Sequence, residues 1–258
     1  MKRIRVIPTL LIQKGGLVKS VKFKDHKYVG DPINAVKIFN EKEVDEIVIL
    51  DISATAEKRS PNIQQIKEIA SEAFMPLAYG GGITKLDEIK ELISAGVEKV
   101  VLNTSAFNDP QLINDGAKYF GSQSIVVSID VKKNIFGKYK VFIQNGTKNT
   151  NIDPVEYSKK MQSAGAGEIF LNSIDKDGTF SGYDTTLIEL VSSSVNIPVV
   201  AIGGASSMDD FKNAIMHGAS AVSAGSIFVF QRPHRAVLIS YPSQAELKKN
   251  LFNFSNLS

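Results

Sequence analysis

Short, almost wholly apolar runs recur along this chain, and longer amphipathic stretches separate them. The runs fall at residues 5–10, 47–51, 76–79, 99–102, 125–130, 168–172, 198–202 and 221–224. A strand with one wet face alternates apolar and polar residues; a strand covered by helices on both faces does not. Eight covered strands, each followed by a helical stretch, predict a parallel sheet that closes on itself rather than one that stays open.

The expected fold is therefore α/β, a single (β/α)8 TIM barrel occupying residues 1–258. Helix signals support it. Asp31-Pro32, Asp109-Pro110 and Asp153-Pro154 each pair an N-cap acceptor with a proline suited to the first helical position. Thr84 with Asp87, and Ser207 with Asp210, have capping-box spacing. Gly96, Gly121, Gly165 and Gly218 stand where helices should stop. Two segments break the rhythm. Residues 132–151 are too long for a simple connection and predict a hairpin, turning at Ile135-Phe136-Gly137-Lys138, with a returning strand at 139–144. An extension at 231–243 follows the eighth strand, and residues from Gln244 to about Asn253 read as the last helix.

The chain also repeats itself. Residues 45–82 align with 167–204, and Ser105-Ala106-Phe107 matches Ser226-Ile227-Phe228. Two half-barrels of one design place similar sites on opposite sides of one mouth.

Composition excludes several classes. The formal net charge is +3 over 258 residues, with basic residues clustered no further than pairs such as Lys132-Lys133, so no nucleic-acid partner is expected. There is no cysteine, and His26, His217 and His234 are isolated, so neither disulfides nor a Cys- or His-cluster metal site is expected. The charged start through Arg5 and the apolar stretch after it read as a first buried strand rather than a secretion signal, because Pro8 interrupts the stretch and Lys14-Gly15 ends it. No run approaches the ~20 apolar residues of a membrane span. The expectation is a cytoplasmic protein with no membrane partner.

Three residue sets carry chemistry. Gly80-Gly81-Gly82 and Gly203-Gly204-Ala205 follow strands three and seven. Leu102-Asn103-Thr104-Ser105 and Ala224-Gly225-Ser226 end strands four and eight. Glycine turns leading into helix N-termini suit anions, and the two neighbouring pairs would make two phosphate cradles, hence a ligand with a phosphate at each end. The bland alternative is tight turns alone. Asp51 and Asp130 end strands two and five, and Asp175 and Asp177 lie after strand six. Carboxylates at this mouth occupy the catalytic position of the fold, although loop capping is an alternative for Asp51 and Asp175. At the opposite end, Arg5, Glu46, Lys99 and Glu168 would form a ring of alternating charge, either a structural plug or a gate.

These features resemble the HisF family, the cyclase subunit of imidazole glycerol phosphate synthase, from Val6-Ile7-Pro8 to about Phe230. The most specific pieces are Gly30-Asp31-Pro32, Leu50-Asp51-Ile52, Gly80-Gly81-Gly82-Ile83, Phe120-Gly121-Ser122-Gln123, Asp177-Gly178-Thr179 and Gly182-Tyr183-Asp184. The resemblance implies a HisH-like glutaminase bound at the N-terminal barrel face, with ammonia entering past a gate of Arg5, Glu46, Lys99 and Glu168. It implies phosphate contacts at Gly82, Asn103, Thr104, Asp177, Gly178, Gly204, Ala224, Gly225 and Ser226, with Lys19 near the substrate in the loop after strand one. It implies no cofactor: neither metal, nucleotide nor flavin. One of the family's two catalytic aspartates matches Asp130. The other does not match, since the family pattern Cys-Leu-Asp is here Thr9-Leu10-Leu11.

A leucine exchanges no proton, so ring closure should be impaired. The departure resembles second-copy HisF-like proteins of surface-polysaccharide clusters, in which ammonia and a separate sugar amidotransferase convert an acetamido group to an acetamidino group. The segment from Leu11 to Lys19, Phe23-Lys24 and Phe74-Met75-Pro76-Leu77-Ala78-Tyr79 look like that subgroup, as does the stretch from His234-Arg235 to Ser243. The leading expectation is ammonia delivery for acetamidino-sugar formation. The alternatives are histidine-pathway synthase, converting PRFAR and ammonia to imidazole glycerol phosphate and AICAR ribotide, and a non-catalytic scaffold that regulates the glutaminase.

Overall fold

The computed structural model describes residues 4–231, 234 and 236–252. Eight parallel strands form the barrel: β1 (Arg5–Gln13), β2 (Ile47–Asp51), β3 (Leu77–Gly80), β4 (Lys99–Leu102), β5 (Ile125–Lys133), β6 (Glu168–Ser173), β7 (Val199–Ile202) and β8 (Ala221–Ala224). Each pairs with the next, and β8 pairs with β1, so the sheet closes with no free edge. Closure divides the core in two. Outward residues such as Ile49, Val100, Val127 and Leu171 pack under the helices. Inward residues Ile7, Val48, Ala78, Val101, Val126, Phe170, Val200, Ile202 and Ala221 fill the barrel as a separate cluster.

Most helix starts follow the sequence. Asp31 caps Pro32–Glu41 by accepting from Asn34 N at 2.9 Å, and Asp153 caps Pro154–Ala164 by accepting from Val155 N at 2.8 Å. Ser207 and Asp210 form the expected box. Gly165 ends its helix with φ 111°, a left-handed conformation that glycine adopts without strain. Two starts differ. Glu88, not Asp87, accepts from Thr84 N and Lys85 N, because it lies a residue further round the first turn. The helix Gln111–Phe120 begins after Pro110, and Asp109 accepts from Gln111 N from one residue further out.

The connection after β1 is also more ordered than a loop. It is an antiparallel hairpin, Gly16–Val21 with Lys24–Gly30, which places Lys19 on a strand. The expected hairpin after β5 is present as the end of β5 paired with Tyr139–Ile143, plus a short strand at Lys148–Asn149. The extension after β8 pairs Phe230–Gln231 with Ala236–Val237; Pro233 and Arg235 lie outside the described residues, as does Asn253. The last helix, Gln244–Leu247, runs on into a π turn, Lys248–Phe252. No helix among the described residues is long and apolar enough to cross a membrane.

Candidate active site

The C-terminal ends of the strands surround a cavity of about 380 Å³. Its lining includes Leu11, Lys19, Asp51, Asp130 and the loops after β3, β4, β7 and β8. Strand polarity brings these residues together from across the chain, since all eight strands deliver their last inward side chains to one end.

Asp130 ends the buried part of β5 and is 7 % exposed. Asn103 Nδ2 donates to its Oδ2 at 3.1 Å, and Asn172 stands beside it in the β5–β6 register. Burial raises its pKa to about 7; the Asn172 and Asn103 amides act against the rise and the Asp177 charge adds to it. A carboxyl that gains or loses its proton near neutrality suits acid–base work. The same shift is a stability statement. The unfolded carboxyl ionises near pH 4, so the cost of burying the charge grows from there and is complete above pH 7. Asp130→Asn keeps the Asn103 bond and removes that cost. Its melting temperature should exceed the native one at pH 8 by several degrees, at about 2–4 °C per kcal/mol, and the gain should shrink as pH falls toward 4. Equal gains at pH 8 and pH 4.5, followed by calorimetry, would refute the assignment.

Across the barrel, half-buried Leu11 takes the matching place on β1, with Val18 and Leu50 as its register partners. Near it, Lys19 is 5 % exposed, and its Nζ donates to Thr9 O at 2.5 Å. Burial lowers the Lys19 pKa to about 8, and the charge of Asp177 resists this. A Cβ at position 225 would meet Lys19 Nζ, the movable end of that side chain, so a larger residue there would have to shift the lysine tip.

Asp177 faces the hairpin. Its Oδ2 accepts from Ser20 Oγ at 3.0 Å and from Phe23 N at 3.4 Å, while its N–H donates to Ser173 O at 3.0 Å. Asp51 is a loop organiser: Oδ1 accepts from Ser53 N, Ser53 Oγ and Ala54 N at 2.9–3.1 Å, and Oδ2 accepts from Arg59 Nη2 at 3.1 Å. Asp175 accepts from Lys133 N at 2.9 Å and so anchors the second hairpin. For both, the capping alternative describes the geometry.

The two glycine turns are built alike. Gly82 (φ 74°) and Gly204 (φ 104°) are left-handed, and a Cβ on either would strike a neighbouring carbonyl, that of Arg59 or of Gly182. Their neighbours are the first turns of Thr104–Asn108 and Ser226–Val229, which begin beyond Asn103 and Gly225. The first N–H groups of a helix have no intrahelical acceptor and favour an anion. Thr104 Oγ1 accepts from Gln144 N at 3.0 Å, so the second hairpin leans over the β4 side of the mouth.

At the opposite end the four floor charges meet. Arg5 Nη1 lies 2.5 Å from Glu46 Oε2, and Arg5 Nη2 also pairs with Glu168 Oε1. Lys99 Nζ lies 2.9 Å from Glu46 Oε1 and 3.1 Å from Glu168 Oε2. Each cation bridges both carboxylates, so the ring is closed. Burial works against the Arg5 charge, but Glu168 and Glu46 outweigh it and hold its pKa above the ordinary value.

Sequence reasoning missed Asn172, Ser20, Phe23 and Arg59, all of which line the cavity. Asn172 carried a usable signal, since it ends its strand beside Asp130. The others lie on the hairpin after β1 or, for Arg59, on the loop after β2, and their positions depend on distant contacts.

The sequence matches the family described as histidine biosynthesis protein over residues 5–233. A Pseudomonas aeruginosa protein provisionally named imidazole glycerol phosphate synthase subunit hisF2 is 52% identical over 248 residues, covering 96% of this chain and 99% of the relative. A Vibrio vulnificus protein provisionally named subunit hisF3 is 48% identical, covering 97% of each chain. The Hydrogenobaculum imidazole glycerol phosphate synthase subunit HisF is 47% identical, covering 95% of this chain and 96% of the relative. With matches of this identity covering nearly the whole chain, the chain belongs to the HisF family.

Proposed function

We propose that this chain is a HisF-type synthase subunit that receives ammonia from a HisH-like glutaminase at its N-terminal face and passes it through the barrel for acetamidino-sugar formation. In this reading the chain is cytoplasmic, and a separate sugar amidotransferase takes the ammonia at the C-terminal mouth.

One observation carries the reading: an apolar side chain, Leu11, faces the cavity at the place where ring closure needs a second acid–base group, while the floor ring is complete. Ammonia delivery needs the floor and the interior but not a pair of acids. The interior supports this. Between ring and cavity lies an apolar layer that includes Ile7, Val48, Val101 and Phe170. Such a layer penalises ammonium far more than neutral ammonia. Arg5, Glu46, Lys99 and Glu168 then act as the gate. Asp130 moves protons at the mouth, beside Lys19 and Asp51. Gly82, Asn103 and Thr104 on one side, and Asp177, Gly178, Gly204, Ala224, Gly225 and Ser226 on the other, hold the anionic groups of a phosphorylated ligand.

The test is reconstitution of barrel, glutaminase and sugar amidotransferase with glutamine labelled at the amide with ¹⁵N. The label should appear in an acetamidino group. Failure to bind the glutaminase, or absence of any labelled amidine, rules the proposal out.

A second reading, the imidazole glycerol phosphate synthase cyclase of histidine biosynthesis, is favoured by the two similar glycine turns and by Lys19, a buried amine in the cavity near Leu11. There Lys19 would supply the missing proton transfer. Turnover of PRFAR with ammonium salt separates the two.

A further inference from the structure

The hairpin after β5 does more than cover the mouth. Its paired legs align Asp130 with Phe142 and Lys133 with Tyr139. Asp130 marks the mouth, so the turn at 134–137 stands roughly 10 Å beyond it, at about 3.3 Å per residue. The turn is locked. Asn134 N donates to Lys138 O and Gly137 N to Asn134 O, each at 2.9 Å, and Asn134 Oδ1 accepts from Phe136 N and Lys138 N at 3.0 Å. The legs are tied down as well, by Lys133 N to Asp175, Tyr139 OH to Asp184 at 2.7 Å and Gln144 N to Thr104 Oγ1.

This rigid turn presents Ile135 at 94% exposure and Phe136 at 80%. Nothing in the fold of the chain itself requires either. Lys132, Lys133, Lys138 and Lys140 surround them, with no Asp or Glu between residues 132 and 140. Among the described residues, none of the four forms a salt bridge. An apolar anchor flanked by lysines outside any salt bridge, with Lys133 over the Tyr139 ring and Lys140 donating to Asn151 O, has a definite complement, an apolar socket with an acidic rim.

We propose that the 134–137 turn is the docking point for the protein that accepts the ammonia, a partner with such an acid-rimmed socket. The inference rests on the ammonia-delivery reading. The far end of the same hairpin reaches the cavity, where Asn145 forms part of the lining and its Nδ2 donates to Ile52 O. A protein seated on the turn therefore sits at the same end of the barrel as the cavity, and one built element, tied to Asp175 and Asp184 near the turn and bordering the cavity at Asn145, would join the acceptor to the exit.

The experiment uses the full chain in complex with its glutaminase, and the sugar amidotransferase as the binding probe. Two variants are compared with the native chain: Ile135→Ser with Phe136→Ser, and Lys132→Glu with Lys138→Glu. Both should melt as the native chain does and leave glutamine hydrolysis unchanged. Each should weaken amidotransferase binding by about tenfold or more, as expected for a central anchor or its charged rim. Glutamine-driven amidination should fall with binding, while amidination driven by free ammonium salt should not. Native-like binding by both variants would overturn the docking assignment and leave ammonia delivery standing. If the native complex itself fails to bind the amidotransferase, the delivery reading falls and this assignment with it. Flotation with phosphatidylcholine–phosphatidylglycerol vesicles that captures the native chain but neither variant would give the turn to a lipid surface instead, and would also overturn the assignment.

Discussion

Given PRFAR and saturating ammonium, the purified chain should turn over at least about 10²-fold more slowly than an ordinary HisF, the loss typical of a missing general acid or base. Ammonium makes the assay independent of any glutaminase, so the result reports the mouth of the barrel alone. The mouth retains Asp130, with its proton poised near pH 7, but presents Leu11 on the facing wall. The Leu11→Asp variant should regain a measurable part of the activity. The fold can accept that carboxylate, because Leu11 is only half-buried and the Lys19 amine close by can supply the countercharge. Recovery in Leu11→Asp would show that the glycine turns still hold PRFAR in a reactive pose. A native chain as fast as an ordinary HisF would mean that another group moves the proton. Lys19 would be the first to examine, through loss of that rate in Lys19→Met, and the chain would then be a histidine-pathway enzyme.

What could be read from the sequence follows from which forces are local. The barrel strands were legible because burial on both faces forces continuous apolar runs, and their observed ends differ from the expected ones by a few residues, mainly where β1 and β5 run on into hairpins. The hairpin after β1 was not legible. Its second strand, Lys24–Gly30, is mostly exposed with no apolar run to mark it, and the turn before it is fixed by a long-range bond, Lys22 N to Asp177 O. Ser207 with Asp210 was readable because the box closes within four residues. Thr84 with Asp87 was misread because a neighbouring Glu88 competes for the same donors and reaches them better. At the site, the position of Asp130 follows from its place at a strand end. Its partnership with Asn103 and Asn172 depends on cross-strand register, which no local pattern reports. Asp51 is a mixed case: its three bonds to Ser53 and Ala54 are local and fit the capping alternative, whereas the fourth appears only once Arg59 folds back over it.

The floor ring should separate stability from transport. Arg5→Met leaves Glu46 and Glu168, at 4% and 8% side-chain exposure, sharing Lys99 as their one remaining cation within the ring. Removing one partner of a buried ion pair costs about 3–5 kcal/mol, and the 24% exposure of Arg5 places the expected loss at the lower end or below it. Replacing Arg5, Glu46, Lys99 and Glu168 together with apolar residues of similar volume should cost less than Arg5→Met alone, because no uncompensated charge is left behind. Denaturant melts of these two variants test that ordering, and the reverse ordering would show that the ring contributes net stability. Under the ammonia-delivery proposal, transport is read from Lys99→Met in the glutaminase complex, as amidination driven by glutamine against amidination driven by ammonium salt. If the ring is a gate, glutamine should still be hydrolysed while glutamine-driven product falls about tenfold or more and ammonium-driven product holds, since ammonia released below the floor escapes before it reaches the mouth. If the ring is only a plug, Lys99→Met should lower the melting point and leave the ratio of the two rates as it was.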